Sequence, residues 1–140
     1  MPVVDASVVV DWVAPDVDAS SAAMATLRCL AKERADLLAP RLLFEEVANA
    51  LLTGVRRRRW TGRAADASFG VLRRLPVQLV DDERDLDRAW ELARRYDDHP
   101  LYDMLYVAVA ERAATTLITA DTSLRSRLAL LPWVVAPGPV

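Results

Sequence analysis

The stretch MPVVDASVVVDW (residues 1–12) poses a problem in its fifth residue. Val3 and Val4 read as a short buried strand, with residues 2–5 as its expected extent, and it ends in a carboxylate, Asp5, two positions before Ser7. Acids are among the side chains least often buried unless they are paired or bound to a metal. The order of the remaining elements therefore has to explain what Asp5 meets.

Working outward, Ser7 is a plausible N-cap for a helix through Trp12 and Val13, halted by Pro15. Apolar spacing predicts a helix over 18–34, with Met24, Leu27, Leu30 and Ala31 on one face, then a strand at 37–39. A longer helix is expected over 42–57, with Phe44, Val47, Ala48, Leu51 and Val55 as its apolar stripe. Further helices are expected over 61–74, 85–96, 102–114 and 123–128, and strands over 76–80, 116–119 and 133–135. Strands separated by helices pair in parallel through right-handed crossovers. The expected fold is a three-layer α/β/α sandwich around a central, mainly parallel sheet, in a single domain over residues 1–140. Ligands of such sheets gather beyond the carboxyl ends of the strands, where strand order switches. Asp5 and Asp121 both fall at such ends.

Composition narrows the function. The chain has 140 residues, and 53% are hydrophobic and 27% charged, as in ordinary globular proteins. No apolar run reaches membrane-spanning length and no signal peptide is read, so a cytoplasmic protein is expected. One cysteine, Cys29, excludes an internal disulfide framework and reads as a small buried hydrophobe. One histidine, His99, cannot build a zinc site with it and reads as a solvated loop residue. Net charge is −2, which does not announce a nucleic-acid binder, yet Arg56, Arg57, Arg58 and Arg59 form one cationic block before Trp60. That block is open to two compatible readings: a helix end whose cations complement the dipole, or a rail for an RNA backbone. Trp60 either stacks a base or packs a hinge; Trp12, Trp90 and Trp133 read as core or interface residues.

Four stretches bear on Asp5. VVDAS carries Asp5 and Ser7, and FEEVANALL carries Glu46 and Asn49 on a helix. LYDMLYVAVAE puts Asp103 in the first turn of an apolar helix, and LITADTSL puts Thr119 and Asp121 after a strand. Singly, each acid has a plain structural role as a helix-dipole, turn or surface residue. Together they would repel one another in one cleft unless something cationic sat among them. Hard divalent ions take oxygen ligands, so an all-oxygen Mg²⁺ or Mn²⁺ site is the favoured reading. Asp97 and Asp98 also stand close enough in sequence to approach it.

In their order and spacing these motifs resemble the PIN-domain ribonucleases, and among them the VapC-type toxins of bacterial toxin–antitoxin pairs. The resemblance covers residue 3 to about 135. It implies that Asp5, Glu46, Asp103 and Asp121 hold Mg²⁺ or Mn²⁺, with Glu46 preferred to Glu45 for the Val-x-Asn that follows it. Ser7, Thr119 and, less directly, Asn49 would orient carboxylates or waters. It further implies RNA as substrate, a small cognate antitoxin as partner, and a homodimer. A haloacid-dehalogenase-like phosphatase needs a second aspartate where Ser7 stands, and a receiver domain needs a lysine that Lys32 is poorly placed to supply. The rival from another class is a catalytically silent PIN-like binding module.

Overall fold

In the computed structural model, which describes residues 1–138, β1 (Val3–Val4) is the middle strand of five. Its neighbours are β2 (Leu37–Pro40) and β4 (Leu117–Ile118); β3 (Val77–Val80) and β5 (Val134–Val135) form the edges, giving the order β3-β2-β1-β4-β5. Every pairing is parallel, with Val3 opposite Leu38 on one side and Leu117 on the other. A strand paired on both edges and covered on both faces must be apolar throughout, and Val3 and Val4 are fully buried.

Seven helices, α1 (Ala6–Val13), α2 (Ala22–Lys32), α3 (Leu42–Arg56), α4 (Gly62–Arg73), α5 (Glu83–Arg95), α6 (Leu101–Ala113) and α7 (Thr122–Arg127), connect these strands among the described residues. The path β1→β2→β3 steps one way across the sheet, and β3→β4→β5 returns the other way. Right-handed crossovers therefore put α1 to α4 on one face and α5 to α7 on the opposite face. α1 packs on α2 and α3, α3 on α4, and α5 on α6, as that division requires. The result is a three-layer α/β/α sandwich with a wholly parallel sheet. α6 lies across β2, β1 and β4 and is buried on nearly all sides, from Met104 through Ala110 apart from Leu105.

Several local expectations are corrected. The N-cap of α1 is Asp5, not Ser7; its carboxylate accepts from Val8 N–H. α2 fully buries Ala23, Thr26 and Leu30, while the expected Met24 and Leu27 are partly buried against the core and Ala31 is exposed; Thr26 Oγ1 donates to Gly138 O and accepts from its N–H. Cys29 is half-buried, where a buried side chain is expected from sequence. Trp12 belongs to the core and donates to Ala23 O, whereas Trp90 is 63% exposed and Trp133 half-buried. No described helix is long and apolar enough to cross a membrane.

Candidate metal and nucleic-acid site

The strand order reverses between β1 and β4: the chain leaves β1 toward one face and β4 toward the other. Their divergent exits open a crevice at the carboxyl edge. Asp5 leaves β1 there, its N–H bonded to Ile118 O of β4. The Ser7 hydroxyl donates to Asp5 Oδ1 at 2.5 Å and accepts from Ala120 N–H at 3.0 Å, so one side chain ties the β1 exit to the β4 exit. Asp5 is only 6% exposed. Burial pushes its carboxyl above the ordinary range; the hydroxyls of Ser7 and Thr119 and the Val8 N–H oppose this, and the Asp103 charge adds to it.

Glu46 lies on the second turn of α3, which starts just past the end of β2. It is half-buried, and the Tyr106 hydroxyl of α6 donates to its Oε1 at 2.7 Å. Burial raises the proton affinity of Glu46, the Tyr106 bond lowers it, and the charges of Asp103 and Asp5 raise it again. Three carboxylates from three elements thus share one electrostatic neighbourhood. Glu45 instead points to a separate cavity beside Arg41 and Phe44.

Asp103 stands one turn before Tyr106 on α6. Its Oδ2 lies 2.7 Å from His99 Nε2, so His99 is not the solvated loop residue expected from sequence. Asp97 and Asp98 both have left-handed backbones, φ 59° and 56°, which turn the chain just before His99. Neither acid acts on Asp5 or Glu46, and Asp98 pairs with Arg94 at 2.6 Å. Consecutive left-handed non-glycine residues are costly and cluster at functional sites.

Asp121 N-caps α7, accepting from Leu124 N–H at 3.0 Å, and its own N–H bonds Thr119 Oγ1 at 3.1 Å. It does not figure among the charges that raise Asp5 and Glu46. Thr119 is fully buried beneath it. Asn49 is exposed, one turn beyond Glu46, and lines a cavity with it. Among the described residues, no three acid, histidine or cysteine side chains converge closely enough to enclose a metal ion. Each candidate carboxylate is turned to a partner within the chain: Asp5 to Ser7, Glu46 to Tyr106, Asp103 to His99, and Asp121 to Leu124 N–H. The donor chemistry nonetheless fits a hard divalent cation: three mutually repelling carboxylates whose nearby hydroxyls are all neutral.

The arginine block divides. Arg57 and Arg59 line the cavity that reaches Glu46; Arg56 turns to the Thr53 hydroxyl at 2.8 Å. Arg58 has a left-handed φ of 59° and closes α3, its N–H on Val55 O and that of Arg59 on Gly54 O. Trp60 is folded back against α3, with Nε1 donating to Leu51 O at 2.9 Å. Only glycine suits position 54, where a Cβ would sit 2.0 Å from Trp60 Cζ2.

His99, read from sequence as solvated, and Tyr106, which stands in the motif from Asp103 to Ala110 but has no role in the sequence reading, are the contributors whose parts the structure adds. A faint signal existed for each: His99 and Asp103 are four residues apart across a helix start, and Tyr106 follows Asp103 by one turn.

Comparison with known proteins meets this geometry. PAE2754 from Pyrobaculum aerophilum superposes with a TM-score of 0.69 at 24% identity, covering 96% of this chain and 87% of that one. VapC20 (Rv2549c) from Mycobacterium tuberculosis, a sarcin-ricin loop cleaving toxin, superposes at 0.62 with 19% identity, covering 96% and 97%. At such identities the likeness is one of fold. A comparison with curated proteins returns no match. The PIN domain family model matches residues 3–127, a span that holds all four candidate acids, and the chain belongs to the PIN domain family.

Proposed function

We propose that this protein is a divalent-metal-dependent endoribonuclease acting as the toxin of a toxin–antitoxin pair. The observation that carries the reading is Asp5: a nearly buried carboxylate at the strand-order switch, with raised proton affinity, beside two further acids and with no ion-pair partner of its own among the described residues. Asp5, Glu46, Asp103 and Asp121 would hold Mg²⁺ or Mn²⁺. Bound there, such an ion would supply an activated water and positive charge for phosphodiester hydrolysis.

The chain's own groups do the rest. Ser7 holds the Asp5 carboxylate and anchors the β4 exit to it, and Thr119 supports both Asp5 and the Asp121 backbone. Tyr106 holds Glu46 of α3 and His99 holds Asp103 of the buried α6, so both acids keep set orientations. Metal-free ribonuclease chemistry of the paired-histidine kind lacks its parts, since His99 is the single histidine.

Family membership and the VapC fold likeness support an RNA substrate and a small antitoxin partner. Exposed apolar side chains on α4 and β3, including Phe69, Val71 and Leu79, offer surface for the antitoxin or a second copy in a homodimer. The test is the chemistry of the products. RNA fragments should carry 5′-phosphate and 3′-hydroxyl ends, and EDTA should stop their formation. Cyclic phosphates, or cleavage that survives EDTA, overturn the mechanism. Absence of both cleavage and divalent-ion binding returns the chain to the silent-module reading.

A further inference from the structure

A cavity of about 340 Å³ runs from Glu46 along α3 to the turn that follows it. Glu46, Asn49, Thr53, Arg57, Arg59 and Trp60 line it. Its size lies at the lower end of small-ligand sites, about 300–1,000 Å³. Its lining joins a candidate acid, Glu46, to two guanidinium groups.

Those guanidiniums are presented differently. Arg59 is held: it lies 4.8 Å from the Trp60 ring centroid and 3.0 Å from Asp16 Oδ2. Trp60 is in turn fixed by its bond to Leu51 O and its seat on Gly54. Arg57, the C-cap of α3, has no ion-pair partner among the described residues. A preset cation beside an unengaged one, in a cavity that Glu46 also lines, suits an anion that continues toward the acids. A phosphodiester backbone has that form.

We propose that this cavity is a subsite for a backbone phosphate of single-stranded RNA, adjoining the phosphate that is cut, with Arg57 and Arg59 as its anion-binding groups. The proposal rests on the ribonuclease reading and narrows it: two arginines of the four contact RNA, Arg58 serves only the turn, and Trp60 buttresses Arg59 and stacks no base. Asn49 offers a free amide to the sugar or phosphate beside Glu46.

The experiment measures binding of a labelled oligouridine octamer to full-length protein carrying Asp5→Asn, across a salt series. Adding Arg57→Ala should weaken binding and reduce the slope of log affinity against log salt by about 0.7, one single-strand phosphate contact. Arg58→Gly removes the same charge outside the cavity and should leave the slope unchanged. Arg57→Lys should restore it. Equal effects of Arg57→Ala and Arg58→Gly, or none from either, overturn the subsite, as does selective loss of binding to an acidic peptide with RNA binding intact. The two readings fail separately. Cleavage by the parent with an Arg57-independent slope keeps the nuclease and removes the subsite; an Arg57-dependent slope without cleavage does the reverse.

Discussion

Asp5 and Asp85 are almost equally buried, 6% and 5% exposed, yet they sit among opposite neighbours. Asp85, in the first turn of α5, receives two bonds from one guanidinium: Arg112 Nε on Oδ1 and Arg112 Nη2 on Oδ2, both at 2.8 Å. The pair joins α5 to α6, and Asp85 holds the Arg112 proton more tightly than usual. Asp5 meets a hydroxyl, a long N–H bond at 3.4 Å, and the charge of another acid. An interior acid that finds its cation within the fold is a structural member. One that finds only neutral donors and like charge has a place for a cation from outside, and that difference separates the candidate site from the scaffold.

The largest expected effect lies in catalysis. Asp5→Asn and Asp103→Asn should each reduce RNA cleavage by at least about a hundredfold, a conservative figure since losing even an outer partner of a metal ligand costs 10–100-fold. Asp85→Asn should retain the cleavage rate per folded molecule. Rates normalised to the folded fraction measure this, and similar losses at both positions would erase the distinction.

Stability should move in opposite directions. Asp85→Asn removes the nearer charge partner of Arg112 and leaves it only Asp82 at 4.0 Å, and the cost should be about 1–3 kcal/mol, tempered because Arg112 is one-third exposed. Thermal or urea unfolding reads this directly. A neutral result would mean that the α5–α6 junction does not depend on the pair.

The smallest effect has the most informative sign. Asp5→Asn keeps the Oδ1 acceptor for Ser7 and the N-cap role, and removes like-charge repulsion and the burial of an ion. It should stabilise the metal-free protein at neutral pH by on the order of 1 kcal/mol, roughly 3 °C. The folded parent holds the Asp5 proton more tightly than the unfolded chain does. The stability from that tighter proton is therefore complete below about pH 4 and lost as pH rises through the raised folded value. The advantage of Asp5→Asn should accordingly be largest at neutral pH and vanish in acid. An advantage constant from pH 4 to 7, or a loss of stability, would show that Asp5 carries no unfavourable charge.

Much of this was legible in the residues. A two-residue valine strand ending in an acid, followed by alternating helical and strand patterns, specifies a parallel sheet with Asp5 at a carboxyl edge, because buried strands and amphipathic helices differ in period and strands split by helices have one favoured handedness. The candidate acids were legible through short motifs on those elements. What escaped depends on partners far along the chain. Asp5 rather than Ser7 caps α1, while Ser7 accepts from Ala120 N–H, 113 residues away; Thr26 is buried and bonds Gly138, 112 residues away. The sequence by itself determined the elements and the sheet class, since these follow from local periodicity and side-chain chemistry. Tertiary structure alone decided which acid is paired with a cation and which is not, and which arginines share a cavity with Glu46, since burial and charge contact arise only when distant segments meet.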